Sequence, residues 1–541
     1  MTPLSLTRTA AAGSQRVPTG LRSQRPHRAG LLAQLAAAAL LVVAATSLLA
    51  APGAEPQVIT TTGAVRGTGI QGYQVFKGIP YAAPPVGELR WQPAQPPAPW
   101  QGVRDATAFG PVCQQAARPH RGFGTEDMAE DCLTLNIVTP NLGAAEKLPV
   151  MVWIHGGAFA FGSGREALAT IPSGLSRRGV VLVSFNYRVG RLGFLAHPQL
   201  SAEAGNAIGG NYWLSDQIAA LKWLRDNIEG FGGDPDKVTI FGVSAGGSSV
   251  NSLMASPAAR GLFHRAIAQS GGGLFSASRP LEQGHREGEE YVESWQLDQQ
   301  NPLAGLRELG ARQIVDHESG LPAYGAIIGN GLLPEAPASA FAGGRASPVP
   351  YLAGSTSDEA SVYGLMGFSA EVMADRFGIR LADIRDAYEE SGPLSEDELL
   401  RQVQTDFIFT SGANGMAALV ARAGGTSFVY RLAYIQDNLR GELKGVPHGG
   451  DVPYVLDTLT SPSAGDLAVA GLIQDYWANF ARTGNPNGAG LPPWPAYGSA
   501  APATLLMDDN PRAALDFRAR QLQVWYDKWA RETGNPSPTG E

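Results

Sequence analysis

The stretch Val238-Thr-Ile-Phe-Gly-Val-Ser-Ala-Gly246 decides the reading of this chain. Val238–Val243 is an apolar, β-branched run of the kind found in strands buried on both faces. It leads directly into Gly242-Val-Ser-Ala-Gly246, with glycines two residues either side of Ser244, and a helix is predicted to follow. A serine hydroxyl is a poor nucleophile unless it is exposed on a sharp turn beside a base. Small flanking residues permit that turn between strand and helix. The strand–turn–helix context makes Ser244 the candidate nucleophile.

The same rhythm extends outward. Leu148–His155 and Val180–Tyr187 are continuous apolar runs, and Ala266–Gln269, Val349–Gly354 and Phe428–Tyr434 read as further strands. Between them, Ser215–Ile228 carries Ile218, Leu221, Leu224 and Ile228 at helical spacing. Strands alternating with helices predict an α/β architecture with a large, mostly parallel sheet flanked by helices. Short antiparallel strands are expected at Gln57–Thr62, Ala64–Gly67 and Tyr73–Lys77, and closing helices around Leu467–Ala481 and Ala513–Trp529. Residues 274–348 and 371–424, the latter mainly helical, are expected to build a cap over the sheet edge. One domain is expected over 55–535, with 536–541 a tail.

A second glycine loop, His155-Gly-Gly-Ala-Phe159, also follows an apolar strand. Acyl transfer builds negative charge on a former carbonyl oxygen, and backbone N–H groups must be aimed at it. Gly157, Ala158 and Ala245 are the predicted donors. The base should be a histidine lying after Ser244, with an acid between them. His264 and His285 follow Ser244 too closely to leave room for that acid, and His317 stands in a polar stretch. His448, in Gly445-Val-Pro-His-Gly-Gly-Asp451, follows a strand in a glycine-rich loop. For the acid, the strand ending at Gly354 runs into Asp358 and Glu359, and spacing does not choose between them.

Composition narrows the class. With 44% hydrophobic and 17% charged residues, the 541-residue chain can bury a sizeable core. Residues 1–54 hold five arginines and no acid, which leaves 36 basic against 49 acidic side chains, a net −13, in the remainder. That balance excludes the basic footprint of a nucleic-acid binder. The arginines precede an apolar run from Leu35 to Ala51 and then small residues, the order of a secretory signal, with an uncleaved membrane anchor as its alternative. An exported protein with two cysteines, Cys113 and Cys132, is expected to pair them.

These residues carry a resemblance. Phe76-Lys-Gly-Ile-Pro-Tyr-Ala-Ala-Pro-Pro85, Glu130-Asp-Cys-Leu-Thr-Leu-Asn136, the His155 glycine loop, Ser184-Phe-Asn-Tyr-Arg188, Gly232-Gly-Asp-Pro235, the Ser244 turn and Trp494-Pro495 stand in the order typical of type B carboxylesterases. The chain resembles that cholinesterase-like branch of the α/β-hydrolase fold across about residues 57–530. The resemblance implies hydrolysis of a small carboxylic ester through an acyl-enzyme, with neither metal nor organic cofactor. It also implies Glu359 as the acid, His448 as the base and a Cys113–Cys132 disulfide. The rival functions are a catalytically silent binding protein, or the same triad used for acyl transfer, amide or lactone cleavage. Two positions depart from the pattern: Val243 stands where the family carries Glu, and Trp213 where it carries Gly.

Overall fold

In a computed structural model, eleven strands form one sheet among the described residues. The structure describes residues 55–540 except 117–126, 206–207, 276, 298–300, 319–323, 366, 368 and 499–501. The expected leader, and the anchor that is its alternative, lie outside these. No helix among the described residues is long and apolar enough to cross a membrane.

In chain order the strands are β1 (Thr68–Ile70), β2 (Tyr73–Pro80), β3 (Thr134–Thr139), β4 (Leu148–Ile154), β5 (Val181–Phe185), β6 (Gly233–Val243), β7 (Arg265–Gln269), β8 (Tyr351–Thr356), β9 (Ser427–Leu432), β10 (Ala503–Met507) and β11 (Arg512–Leu515). Their spatial order is β1-β2-β3-β5-β4-β6-β7-β8-β9-β10-β11. From β5 to β10 every neighbouring pair is parallel; the pairs at both margins are antiparallel. This is the large, mostly parallel sheet expected from the apolar runs, and it fits the α/β-hydrolase fold that the resemblance implies.

Burial on both faces explains those runs. Val150, Val152 and Ile154 of β4, with Val183 and Ile240, join one core, while Met151, Trp153, Leu182 and Phe241 join another. Alternate residues of one strand thus feed opposite faces, as the two-residue period requires. Helix Tyr212–Asn227 buries Ile218, Leu221 and Leu224 as their spacing predicts, and it begins at Tyr212, ahead of the expected start.

One expectation fails. Ala513–Trp529 is not a single helix: Arg512–Leu515 is an edge strand paired with β10, and the helix begins at Ala519. Pairing to an open sheet edge outweighs the helical preference of Ala513, Ala514 and Leu515. The last residues also pack onto the rest, since Arg422 donates to the Ser537 carbonyl and Ser537 is buried. Cys113 and Cys132 form a disulfide.

Candidate active site

The turn after β6 is strained. Ser244 has φ 57° and ψ −121°, a conformation a residue with a side chain adopts only when its surroundings enforce it. Its N–H bonds the Gln269 carbonyl of β7 at 2.9 Å, and helix Ala245–Ala255 starts at the next residue. The flanking glycines answer to a neighbouring strand. A Cβ on Gly246 would stand 2.1 Å from the Ile154 carbonyl oxygen, and one on Gly242 2.5 Å from the same atom. The turn is therefore pressed against the end of β4.

The loop leaving β4 is equally constrained. Gly157 has φ 108°, and Ala158 and Phe159 follow at 53° and 58°. Among the described residues neither Gly157 nor Ala158 gives its N–H to a protein acceptor. Ala245, first in its helix, has no intrahelical acceptor for its own. Ala158 and Ala245 line a cavity of about 630 Å³ together with Ser244 and His448, and Gly157 lies one residue behind that lining.

After β8 the two adjacent carboxylates part. Asp358 accepts from Arg401 Nη1 at 3.0 Å. Glu359 is wholly buried, and its Oε2 meets His448 Nδ1. Its Oε1 accepts from Ser270 Oγ and from the Thr356 N–H, both at 2.6 Å. Burial alone would raise this carboxyl, but the imidazole and the two donors outweigh it and hold Glu359 below its ordinary value. Of the two candidate acids, Glu359 is the one in contact with His448.

His448 packs against Phe409, ring centroids 4.6 Å apart, and its Nε2 makes no hydrogen bond among the described residues. Ser244 and His448 both line the cavity, and no hydrogen bond joins them directly. Other histidines among the described residues are engaged elsewhere. His155 is buried and stacked on Tyr187, and burial pushes its imidazole down to about 4. His285 meets Ser201, and His317 stacks on Trp295. His27 and His120 lie outside the described residues.

The chain matches the carboxylesterase family over residues 54–382 and 380–525. It belongs to that family. It is 34% identical over 489 residues to a fumonisin B1 esterase of Sphingopyxis macrogoltabida, covering 83% of this chain and 86% of that one. It is 35% identical over 485 residues to the para-nitrobenzyl esterase of Bacillus subtilis strain 168, covering 84% and 95%. The solved structure of a PNB esterase superposes with a TM-score of 0.77 at 33% identity, covering 87% of this chain and all of that one. The protein is thus a carboxylesterase, and the carboxylesterase fold is what brings these loops together.

Within this carboxylesterase, two residues were not singled out from sequence. Ser270 follows β7 and donates to Glu359; its only sequence signal is a serine at the end of a buried strand. Phe409 sits in a π-helical turn, Asp406–Thr410, and an extra residue in a helical turn leaves no mark in composition. Val243, at the position where the resemblance expects Glu, has its side chain beside Gly156 of one loop and Gly449 of the other. Asp451, in the histidine loop, is buried and accepts from Gln269 at 2.9 Å and from Tyr430. Burial raises its carboxyl despite those two donors.

Proposed function

We propose that this carboxylesterase cleaves its ester through a Ser244–His448–Glu359 triad and an acyl-enzyme. His448 Nε2 takes the proton as Ser244 Oγ attacks the ester carbonyl, and Glu359 stabilises the imidazolium that forms. The N–H groups of Ala158 and Ala245, with Gly157 beside them, donate to the oxyanion. His448 then protonates the departing alcohol, and a water activated by the same nitrogen releases the acid. The observation that carries this reading is the buried Glu359–His448 contact on a ring whose Nε2 is unengaged, in a cavity that Ser244 also lines. The cavity size falls within the range of about 300–1,000 Å³ typical of small-molecule sites, and its rings suit uncharged, largely apolar esters.

Ser244→Ala should abolish hydrolysis of p-nitrophenyl butyrate and labelling by a fluorophosphonate probe while the melting temperature stays put. Turnover unchanged from the parent protein would refute the assignment. We also propose export through the 1–54 leader, a reading favoured by the Cys113–Cys132 disulfide. An N-terminus still at Met1 on protein recovered from the medium would contradict it.

A further inference from the structure

The cavity has two walls of different construction. One wall, Val362, Phe377, Ile408 and Phe409, rests on a core cluster that includes Phe407 and Trp525, while Phe275 packs against both this cluster and the main core. This wall meets His448 through Phe409. A second wall, Phe159, Tyr324 and Ala326, belongs to the main core.

Behind the second wall stand two rings that do not reach the cavity. Trp213 has no solvent exposure; its ring lies 4.9 Å from Phe159 and is stacked on Phe194 at 5.4 Å with 9° between the planes. Phe194 in turn lies 5.2 Å from Phe159 and 5.3 Å from Tyr324. Both cavity-facing rings of this wall are therefore backed by the Trp213–Phe194 stack. The indole is also tied to the segment that carries the wall. Trp213 Nε1 donates to Asn211 Oδ1 at 3.3 Å, and the same oxygen accepts the Ile327 N–H at 3.0 Å. Phe159, at positive φ, needs such packing to hold its conformation.

The leaving oxygen must come within reach of His448 to be protonated, and Phe409 is the lining ring that packs on His448; we therefore take the alcohol to lie along the Phe409 side. The acyl group is left to the Phe159–Tyr324 side. We infer that Trp213 is a specificity-determining residue that, acting through Phe159 and Phe194, sets the depth of the acyl side and excludes bulky acyl groups. This rests on reading the cavity as the ester site. Without the indole, Phe159 can fall back into the space it occupied, and branched or aromatic acyl groups gain room.

The test compares p-nitrophenyl acetate, butyrate and benzoate, which vary the acyl group, with phenyl and 1-naphthyl acetate, which vary the alcohol. In Trp213→Ala the benzoate-to-acetate ratio of kcat/KM should rise about tenfold or more, the scale on which pocket volume discriminates substrates. The alcohol ratio should stay within about threefold. A ratio taken on one preparation cancels any loss of folded enzyme, so a merely structural role would not move it. Emptying a fully buried site of this size is costly, so Trp213→Phe and Tyr324→Leu accompany it, each expected to shift the acyl ratio in the same direction by a smaller factor. Unchanged acyl ratios in the folded variants, or a shift in the alcohol ratio instead, would overturn the inference. A parent protein that leaves p-nitrophenyl acetate uncleaved would fail the ester reading itself, which separates the two failures.

Discussion

Replacing Glu359 by Gln tests the centre of the mechanism with almost no change of shape. The carboxylate accepts from three donors: His448 Nδ1, Ser270 Oγ and the Thr356 N–H. A glutamine can satisfy Ser270 and Thr356 only by turning its carbonyl toward them, which places its NH₂ against Nδ1. The imidazole must then carry its proton on Nε2, the atom that accepts the Ser244 proton in the proposed mechanism. The opposite orientation keeps the useful tautomer but leaves the buried Thr356 N–H facing a donor, at a cost of about 1–3 kcal/mol. The favoured rotamer is therefore the inactive one. The equivalent change in a serine protease triad costs about 10⁴ in rate. A loss of about 10³–10⁴ in kcat/KM, or about 4–5.5 kcal/mol, is expected here. The assay is p-nitrophenolate release from p-nitrophenyl butyrate at pH 8, with thermal melts to confirm folding. Asp358→Asn is the companion variant, because Asp358 pairs with Arg401 and not with the imidazole. Its activity should fall by no more than about threefold, the scale of a lost partly exposed ion pair. A Glu359→Gln enzyme keeping more than about a tenth of the activity, a loss under 1.4 kcal/mol, or an Asp358→Asn enzyme equally damaged, would refute the reasoning.

Two further outcomes concern stability. The Cys113–Cys132 bridge spans 19 residues, so replacing both cysteines with serine should lower unfolding free energy by about 3 kcal/mol in urea melts, and a loss near zero would show that the loop is held by its other contacts. Asp451 holds its proton to higher pH in the folded protein than in the unfolded chain, so its contribution is full below about pH 4 and is lost as pH rises toward its folded value. The stability of Asp451→Asn relative to the parent should accordingly climb as pH rises from about 4, as read from paired urea melts; a difference that stays flat from there upward would mean that the carboxyl is not raised.

Much of the architecture was legible because burial on both faces of β4, β5 and β6 leaves no polar alternation, and only a few folds place such strands in series with helices. The Ser244 turn was legible for a related reason. Its glycines are imposed by the Ile154 carbonyl, and close approach of backbone excludes a side chain whatever surrounds it. What could not be read depends on direction or register. Asp358 and Glu359 are neighbours in a loop, and which one turns inward is fixed by the Ser270 and Thr356 donors, one of them 89 residues away. Ser270 itself acquires meaning only because β7 pairs with β8 so that its N–H reaches the Gly354 carbonyl. Arg512–Leu515 carries helix-forming residues, and only the open edge of β10 makes it a strand.

The chain also explains why the histidine needs so long a loop. The strands β4, β6, β7, β8 and β9 are adjacent in that order, and each delivers one part of the site from its C-terminal end: the glycine loop, Ser244, Ser270, Glu359 and His448. Neighbouring strands stand about 4.8 Å apart, so β9 leaves the sheet about 14 Å from β6. An imidazole held at the end of β9 could not reach the serine. The loop from Ala433 to His448 must return across β8, and it does so by lying on the acid loop. The Asp358 N–H bonds the Val446 carbonyl, the Val446 N–H bonds Ser357 Oγ, and the His448 N–H bonds Ser361 Oγ, each at 2.8 Å. The backbone that carries His448 is therefore fastened to the backbone that carries Glu359 on both sides of that residue. That docking holds the His448 ring against the buried Glu359 carboxylate.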